Sequence, residues 1–226
     1  MCILGRVSEQ VDRLNELRAS GVPLLRVKMP PHYRSLVDEE IRILGREGRP
    51  LFLVVYPGEG RFDTFAPGEV VNFVEDFDHM PPGLRRVVVH RYPYKLLYFP
   101  TDMGVGHCQY CFRPDVTGPD ARQKNLNRNL SPETICDVTD YLRQHPDVRE
   151  VIFSGGDPLA CRVKDLERAA ASFRRVPSVR WLRLHTKAPI FNPSLVTDAF
   201  LDLCARHICA HATRSGSSST SFTPTS

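Results

Sequence analysis

Residues 95–114 read KLLYFPTDMGVGHCQYCFRP, an apolar run that passes into a glycine-containing loop with two cysteines. The run of Leu96, Leu97, Tyr98 and Phe99 is short and rich in residues that suit a pleated, buried surface, so 95–99 reads as a strand. Cys108 and Cys111 follow it at chelating separation, with Tyr110 between them and Phe112 and Arg113 directly after. Two residues between thiols complete a tight turn that lets both sulfurs face one metal. By itself the CxxC pair leaves three readings open: half of a zinc site, a redox dithiol, or part of an iron–sulfur site.

Outward from this stretch, strands and helices alternate. Ser131, Pro132 and Glu133 open a helix, because proline suits the first helical position and an acid in the first turn opposes the helix dipole. Ile135, Val138, Tyr141 and Leu142 give that helix an apolar face. A second strand is expected over 150–153, a helix over 165–174, a third strand over 179–185 and a third helix over 194–207. Three strand–helix repeats imply an α/β fold with a parallel sheet, in the manner of a partial (β/α) barrel. The expected organisation is a mostly helical or irregular region over 1–94, the partial barrel over 95–209, and a Ser/Thr-rich tail over 210–226 that reads as disordered. Within the first region, helices are expected over 8–20 and 33–46 and a strand over 51–56, while 58–83 shows no clear period beyond a possible short helix.

Several motifs in order resemble one family. His90, Arg91, Tyr92 and Pro93 are similar to the HRYP that precedes the cluster loop of the lysine 2,3-aminomutase family of radical S-adenosylmethionine enzymes. Phe112 and Arg113 match the residues after that family's last cluster cysteine, and Ser154, Gly155, Gly156, Asp157, Pro158 and Leu159 resemble its SGGDPL. Tyr33, Ser35, Leu36, Val37 and Asp38 are similar to its YxSLxD. The resemblance extends over about residues 30–203, and it departs from the family at one point. Counting back four from Cys108, the first ligand of the family's CxxxCxxC falls at position 104, where this chain has Gly104. Gly104 cannot ligate a metal, and the neighbouring His107 would have to turn into the site from the wrong position to compensate.

The resemblance implies a partial radical-S-adenosylmethionine barrel of about three βα units, with Cys108 and Cys111 as ligands to a 4Fe–4S cluster sheltered by Tyr110 and Phe112. It implies that Ser154, Gly155, Gly156 and Asp157 lie against the methionyl part of S-adenosylmethionine, in a turn whose bareness admits a ligand to the backbone. Arg113 would meet the substrate carboxylate, and Arg91 would lie near a pyridoxal phosphate anchor. Four residues past Arg91, where the family often has a second arginine, stands Lys95. His185 and Thr186 end the third expected strand and are candidates for ligand contact. The lysine that forms the pyridoxal phosphate aldimine belongs to the family's C-terminal part. Lys187 follows a strand but stands in no motif, so the pyridoxal phosphate site is incomplete here. The implied reaction is reductive cleavage of S-adenosylmethionine, hydrogen-atom abstraction from an amino acid and migration of its amino group between adjacent carbons. The substrate would be a free amino acid or a lysine of a protein, and the missing ligand and the three-unit barrel imply an impaired catalyst.

Composition bounds these readings. The chain has 226 residues, 42% of them hydrophobic and 25% charged, which describes a globular protein with length for a substantial core. The net charge of +4 is scattered, so no nucleic-acid partner is expected. No run approaches the roughly 20 apolar residues that span a bilayer, and residues 1–6 lack a signal-peptide layout, so a cytoplasmic location without membrane contact is expected. Seven cysteines then point to thiols or metal ligands rather than disulfides. The third strand would leave an open edge, consistent with a truncated chain or with a covering partner such as a second copy. The rival from another class is a non-catalytic zinc-binding module, or a degenerate fragment, built on Cys108 and Cys111.

Overall fold

A computed structural model of the chain describes residues 12–13, 15–17, 19, 27–44, 50–56, 74–111, 113 and 128–208. The described residues between 12 and 19 are helical, in line with the helix expected over 8–20. Pro31–Leu44 forms α1, with Tyr33, Val37 and Glu40 buried at helical spacing. Pro50–Val55 forms α2, where the sequence suggested a strand. The reason lies eleven residues upstream. The buried Glu40 carboxylate accepts hydrogen bonds from the backbone amides of Leu51 at 3.0 Å and Phe52 at 3.1 Å. Those are first-turn amides that a helix leaves unpaired, and Pro50 at the first position has no amide to satisfy. Phe52 and Val55, three apart, then turn one face toward Tyr33 and Val37. Residues 57–73, most of the segment expected to be irregular, lie outside the described residues. Its end holds a short 3-10 turn, Asp76–His79.

The sheet has four strands in the order β1-β2-β3-β4. Val88–Tyr92 is β1 and Lys95–Tyr98 is β2, joined through Pro93 and Tyr94 as an antiparallel hairpin with Val88 opposite Tyr98. The sheet therefore starts before residue 95, where the alternating pattern begins. Glu150–Phe153 (β3) and Trp181–Leu184 (β4) add parallel to β2, pairing Tyr98 with Phe153 and Phe153 with Leu184. All four residues of β3 are buried, as suits a strand covered on both faces, while β4 alternates and pairs, among the described residues, with β3 alone.

Pro132–Gln144 (α3) and Val163–Arg174 (α4) cover one face. The expected start of α3 is present: the Ser131 hydroxyl accepts a bond from the Thr134 amide at 3.1 Å. Val138 and Leu142 of α3 and Leu166, Ala169 and Phe173 of α4 meet Leu96, Tyr98, Val151, Phe153 and Leu182 in the main core. Burying these ten side chains, at roughly 1.5–3 kcal/mol for each of the larger ones, is the main favourable contribution to the fold. The expected helix over 194–207 is broken into a 3-10 turn, Pro193–Leu195, a helix α6, Asp198–Leu203, and a π turn, Cys204–Ile208. Thr197 starts α6 by accepting from the Phe200 amide at 3.3 Å. One turn of helix, Ala188–Phe191 (α5), precedes them. No helix among the described residues is long and apolar enough to cross a membrane. The tail expected over 210–226 lies outside the described residues.

Candidate functional site

Because β2, β3 and β4 are parallel, the loops that follow them emerge at one end of the sheet, where parallel α/β folds bind ligands. Those loops enclose a cavity of about 530 Å³. Cys108 and Cys111 come to it from the β2 loop, Ser154 to Asp157 from the β3 loop, and His185, Thr186 and Lys187 from the β4 loop. The sulfur pair and the glycine turn, distant in sequence, thus share one wall.

The cysteine loop is tied down from behind. Gln109, buried between the thiols, donates from its backbone amide to the Val54 carbonyl at 2.7 Å and from Nε2 to the Val55 carbonyl at 3.0 Å. The Cys111 amide donates to the Cys108 carbonyl at 3.0 Å and closes the turn. Cys108 is 8% exposed, and Cys111 is half-buried. Gly106 lies flat against Phe191, where a Cβ would stand 2.4 Å from the ring. Gly104 is held by the Lys28 ammonium, which donates to its carbonyl at 2.6 Å, and burial lowers the Lys28 pKa. Tyr110 lines the cavity and is exposed. The side chain of Phe112 lies outside the described residues.

The glycine turn is organised by the same loop. Gly155 has φ +94°, and a Cβ there would stand 2.5 Å from the Thr101 carbonyl oxygen. A Cβ on Gly156 would stand 2.2 Å from the carbonyl carbon and oxygen of Met103. The Gly156 amide donates to the Thr101 carbonyl at 3.0 Å and the Asp157 amide to the Met103 carbonyl at 2.7 Å. The bareness expected to admit a ligand thus admits the backbone of residues 101–103, and these two amides already have partners. Asp157, 4% exposed, accepts from the Leu159 amide at 2.9 Å, the Thr186 hydroxyl at 2.6 Å and the Lys187 amide at 2.8 Å. Its carboxylate joins the β3 loop to the β4 loop.

Charged residues complete the wall. Arg113 lines the cavity but is paired with the buried Asp76 and stacks over Phe99 at 5.8 Å. Asp76 had no signal in the sequence, since its segment lacks a period. Lys187 directs its ammonium to the Tyr110 hydroxyl at 2.9 Å and Cys108 Sγ at 3.5 Å, and sits 4.2 Å from the Tyr110 ring centroid. Burial alone would lower its pKa, but the Tyr110 hydrogen bond and the Cys108 charge outweigh that and raise it. Burial and nearby Arg183 lower the His185 pKa. Arg91 is not brought into this wall. It lies on β1 toward the opposite end of the sheet, donating to the Val74 carbonyl at 2.7 Å and facing Glu75 at 3.8 Å. Lys95, at that same end, pairs with Glu150 at 3.6 Å, which also accepts from Arg183 at 2.8 Å.

The donor set can be tested against a three-thiolate cluster. Two thiols face the cavity, the position of the third is Gly104, and a Cβ there would meet the Gly106 carbonyl oxygen at 2.7 Å. Among the described residues no group of three His, Cys, Asp or Glu side chains is disposed to hold a metal ion. The residues present therefore do not fit a cluster held by three cysteines.

Comparison with known proteins agrees with the arrangement of strands and loops. The family profile described as Radical SAM superfamily matches residues 98–211. L-lysine 2,3-aminomutase of Escherichia coli (strain K12) is 29% identical over 187 residues, covering 83% of this chain and 50% of the relative. The protein of the same name from Clostridium subterminale is 29% identical over 189 residues, covering 84% of this chain and 42% of the relative. That of Bacillus subtilis (strain 168) is 25% identical over 203 residues, covering 88% and 40%. The chain thus spans about half, or less, of the length of the relatives it matches. A profile match over half of the chain, on a partial α/β fold whose strand-end loops carry the CxxC pair and the SGGDPL turn, places this protein in the radical SAM superfamily, with its similarity lying toward the lysine 2,3-aminomutases.

Proposed function

We propose that this chain is the cofactor-binding part of an amino acid 2,3-aminomutase of the radical S-adenosylmethionine type, an isomerase, and that Gly104 leaves it impaired as a catalyst. The observation that carries the reading is the convergence of Cys108, Cys111 and the Ser154–Asp157 loop on one cavity at the C-terminal ends of parallel strands. In this reading the cavity receives S-adenosylmethionine. Its volume, about 530 Å³, lies in the range of small-molecule sites. Ser154 and Gly155 offer the wall against which the aminoacyl end rests. Asp157 keeps the β3 and β4 loops at a fixed separation, so that the ligand meets a preformed surface. Tyr110 and Cys108 close the side toward α5, and Arg113, held by Asp76, is the donor for a substrate carboxylate.

The pyridoxal phosphate dependence of the reaction belongs to the same proposal, with the amino acid or protein lysine as substrate and the cytoplasm as its place. Arg91 would act as phosphate donor only after leaving Val74 and Glu75. The aldimine lysine would come from the part of the relatives' length that this chain does not span.

The impairment is tested by restoring the ligand. The chain and its Gly104→Cys variant are reconstituted anaerobically with iron and sulfide, and bound iron is counted. The wild type should hold well under one full cluster, and the variant should approach about four irons per chain with a visible absorbance band. The loop must open by several tenths of an ångström to take the new side chain, since its Cβ starts 2.7 Å from the Gly106 oxygen. A wild type that already carries a full cluster removes the impairment. A single tightly held zinc in both proteins replaces the enzyme reading with a metal-binding module.

A further inference from the structure

We infer that Lys28 is the positioning residue that presents the sulfurs of Cys108 and Cys111 as a pair, an inference that rests on the two thiols facing one acceptor. No motif marks Lys28, which stands 76 positions before Gly104. It reaches the cysteine loop at two points. Its Nζ donates to the Gly104 carbonyl at 2.6 Å, and its own carbonyl accepts from the His107 amide at 3.0 Å. One residue thus brackets 104–107, the stretch that leads into Cys108.

That stretch depends on an outside hold. Gly104 and Gly106 have no side chains to anchor it, and glycine loses more conformational freedom on ordering than any other residue. Beyond Cys108, Gln109 is bonded to the carbonyls of Val54 and Val55 in α2, and the Cys111 amide closes the turn on the Cys108 carbonyl. Lys28 supplies the hold on the other side of Cys108, so that thiol sits between two points fixed by the N-terminal region. The lysine is an expensive choice for this place. Its side chain is half-buried, burial lowers its pKa, and among the described residues it has no acidic partner. A lysine that served only the surface would carry its ammonium into water. Here the ammonium is spent on a backbone carbonyl, in a charge-assisted bond about twice as strong as a neutral one. Methionine would fill the same space without a donor, and the loop before Cys108 would lose one of its two brackets.

The test uses the full chain without added iron and phenylarsine oxide, whose arsenic takes two thiols at once. Two As–S bonds form, both S–H protons leave with the oxide oxygen as water, and arsenic stays trivalent, so neither oxidant nor reductant is needed. Retention is measured by displacing the arsenical with 2-mercaptoethanol, because a second sulfur held nearby resists a monothiol far better than a lone one. A variant carrying both Cys108→Ser and Cys111→Ser gives the background from the remaining cysteines. Lys28→Met should hold the arsenical about tenfold less tightly than the wild type, and Lys28→Arg, which keeps a charged donor, within about threefold. Iodoacetamide, which takes one sulfur at a time, should consume the two thiols of Lys28→Met at least as fast as those of the wild type. Unchanged retention in Lys28→Met, or a loss that Lys28→Arg shares in full, overturns the assignment and leaves the facing of the thiols standing. A slower reaction with iodoacetamide, or loss of the cooperative thermal transition in Lys28→Met, makes Lys28 a residue of general stability and overturns it as well. A wild type that retains the arsenical no better than the double serine variant overturns the facing of the two thiols, and this assignment with it.

Discussion

Replacing Gly156 by alanine forces apart the two loops that form the cavity wall, and the size of the effect can be worked from the contacts. The added Cβ would stand 2.2 Å from the Met103 carbonyl carbon and oxygen and 2.7 Å from the Asp102 carbonyl carbon, all backbone atoms with no side-chain freedom to yield. Carbon atoms rest at roughly 3.5–4.0 Å, so the loops must separate by about 1 Å or more. That separation weakens the Gly156–Thr101 and Asp157–Met103 hydrogen bonds, 3.0 Å and 2.7 Å long. Overpacking costs about 1–3 kcal/mol, and each weakened bond adds about 1 kcal/mol. The sum is about 3–5 kcal/mol. For a domain of this size about 1 kcal/mol moves the midpoint by 2–4 °C, so the thermal transition followed by circular dichroism should fall by about 10 °C. Gly83→Ala is the control. Gly83 has φ +83° but nothing within 4 Å of a new Cβ, so it carries conformational strain alone, about 1 kcal/mol or 3 °C. If Gly156→Ala melts within about 2 °C of the wild type, or no lower than Gly83→Ala, the contact between the loops does not hold the site together.

Two further outcomes follow from buried polar groups. Asp157→Asn keeps the shape but presents an amide nitrogen to one of three donors, the Leu159 amide, the Thr186 hydroxyl or the Lys187 amide. The urea midpoint should fall by the equivalent of about 2–3 kcal/mol at unchanged slope, and a loss under about 0.5 kcal/mol would contradict the cross-link between the β3 and β4 loops. Burial lowers the pKa values of His90, His185 and His207 below the ordinary 6.5. The unfolded chain then binds more protons than the folded one between those depressed values and 6.5. The stability is present above about pH 6.5 and is lost as pH falls through the folded values. Melting should therefore drop between pH 7.5 and 5.5, and His90→Gln, which cannot titrate, should drop less; an equal drop removes His90 as a source.

What the sequence disclosed of the fold depended on how far each signal reached. The Ser131-Pro132-Glu133 start of α3 and the β3 strand at 150–153 were legible because the residues that determine them are adjacent. The apolar run at 51–56 was read as a strand, since six apolar residues carry no period that separates strand from helix. Its determinant, the Glu40 carboxylate on the Leu51 and Phe52 amides, comes from another helix. β1 was read as a motif and not as a strand, because Val88 to Tyr92 ends in His90, Arg91 and Tyr92, whose burial falls away along the strand. Only pairing with β2 across Pro93 and Tyr94 makes it part of the sheet.

The same division runs through the site, and the glycine turn shows why. A missing Cβ records that something approaches the backbone closely, but it does not record what approaches. At Gly155 and Gly156 the sequence admits a ligand and a neighbouring loop equally well, and the contacts with Thr101, Asp102 and Met103 show the loop while both glycines still line the cavity. That changes what the turn does. It makes the position of the cysteine loop depend on the β3 turn, and through Asp157 on the β4 loop that carries Thr186 and Lys187. Arg113 likewise announced a charge and concealed its partner, because Asp76 lies 37 positions away in a segment without pattern. Motifs identify the groups that face a cavity, whereas the distances between those groups are set by backbone contacts that no single motif contains. In this chain the geometry of Cys108 and Cys111 is set as much by Gly156 and Asp157 as by the spacing of the cysteines themselves.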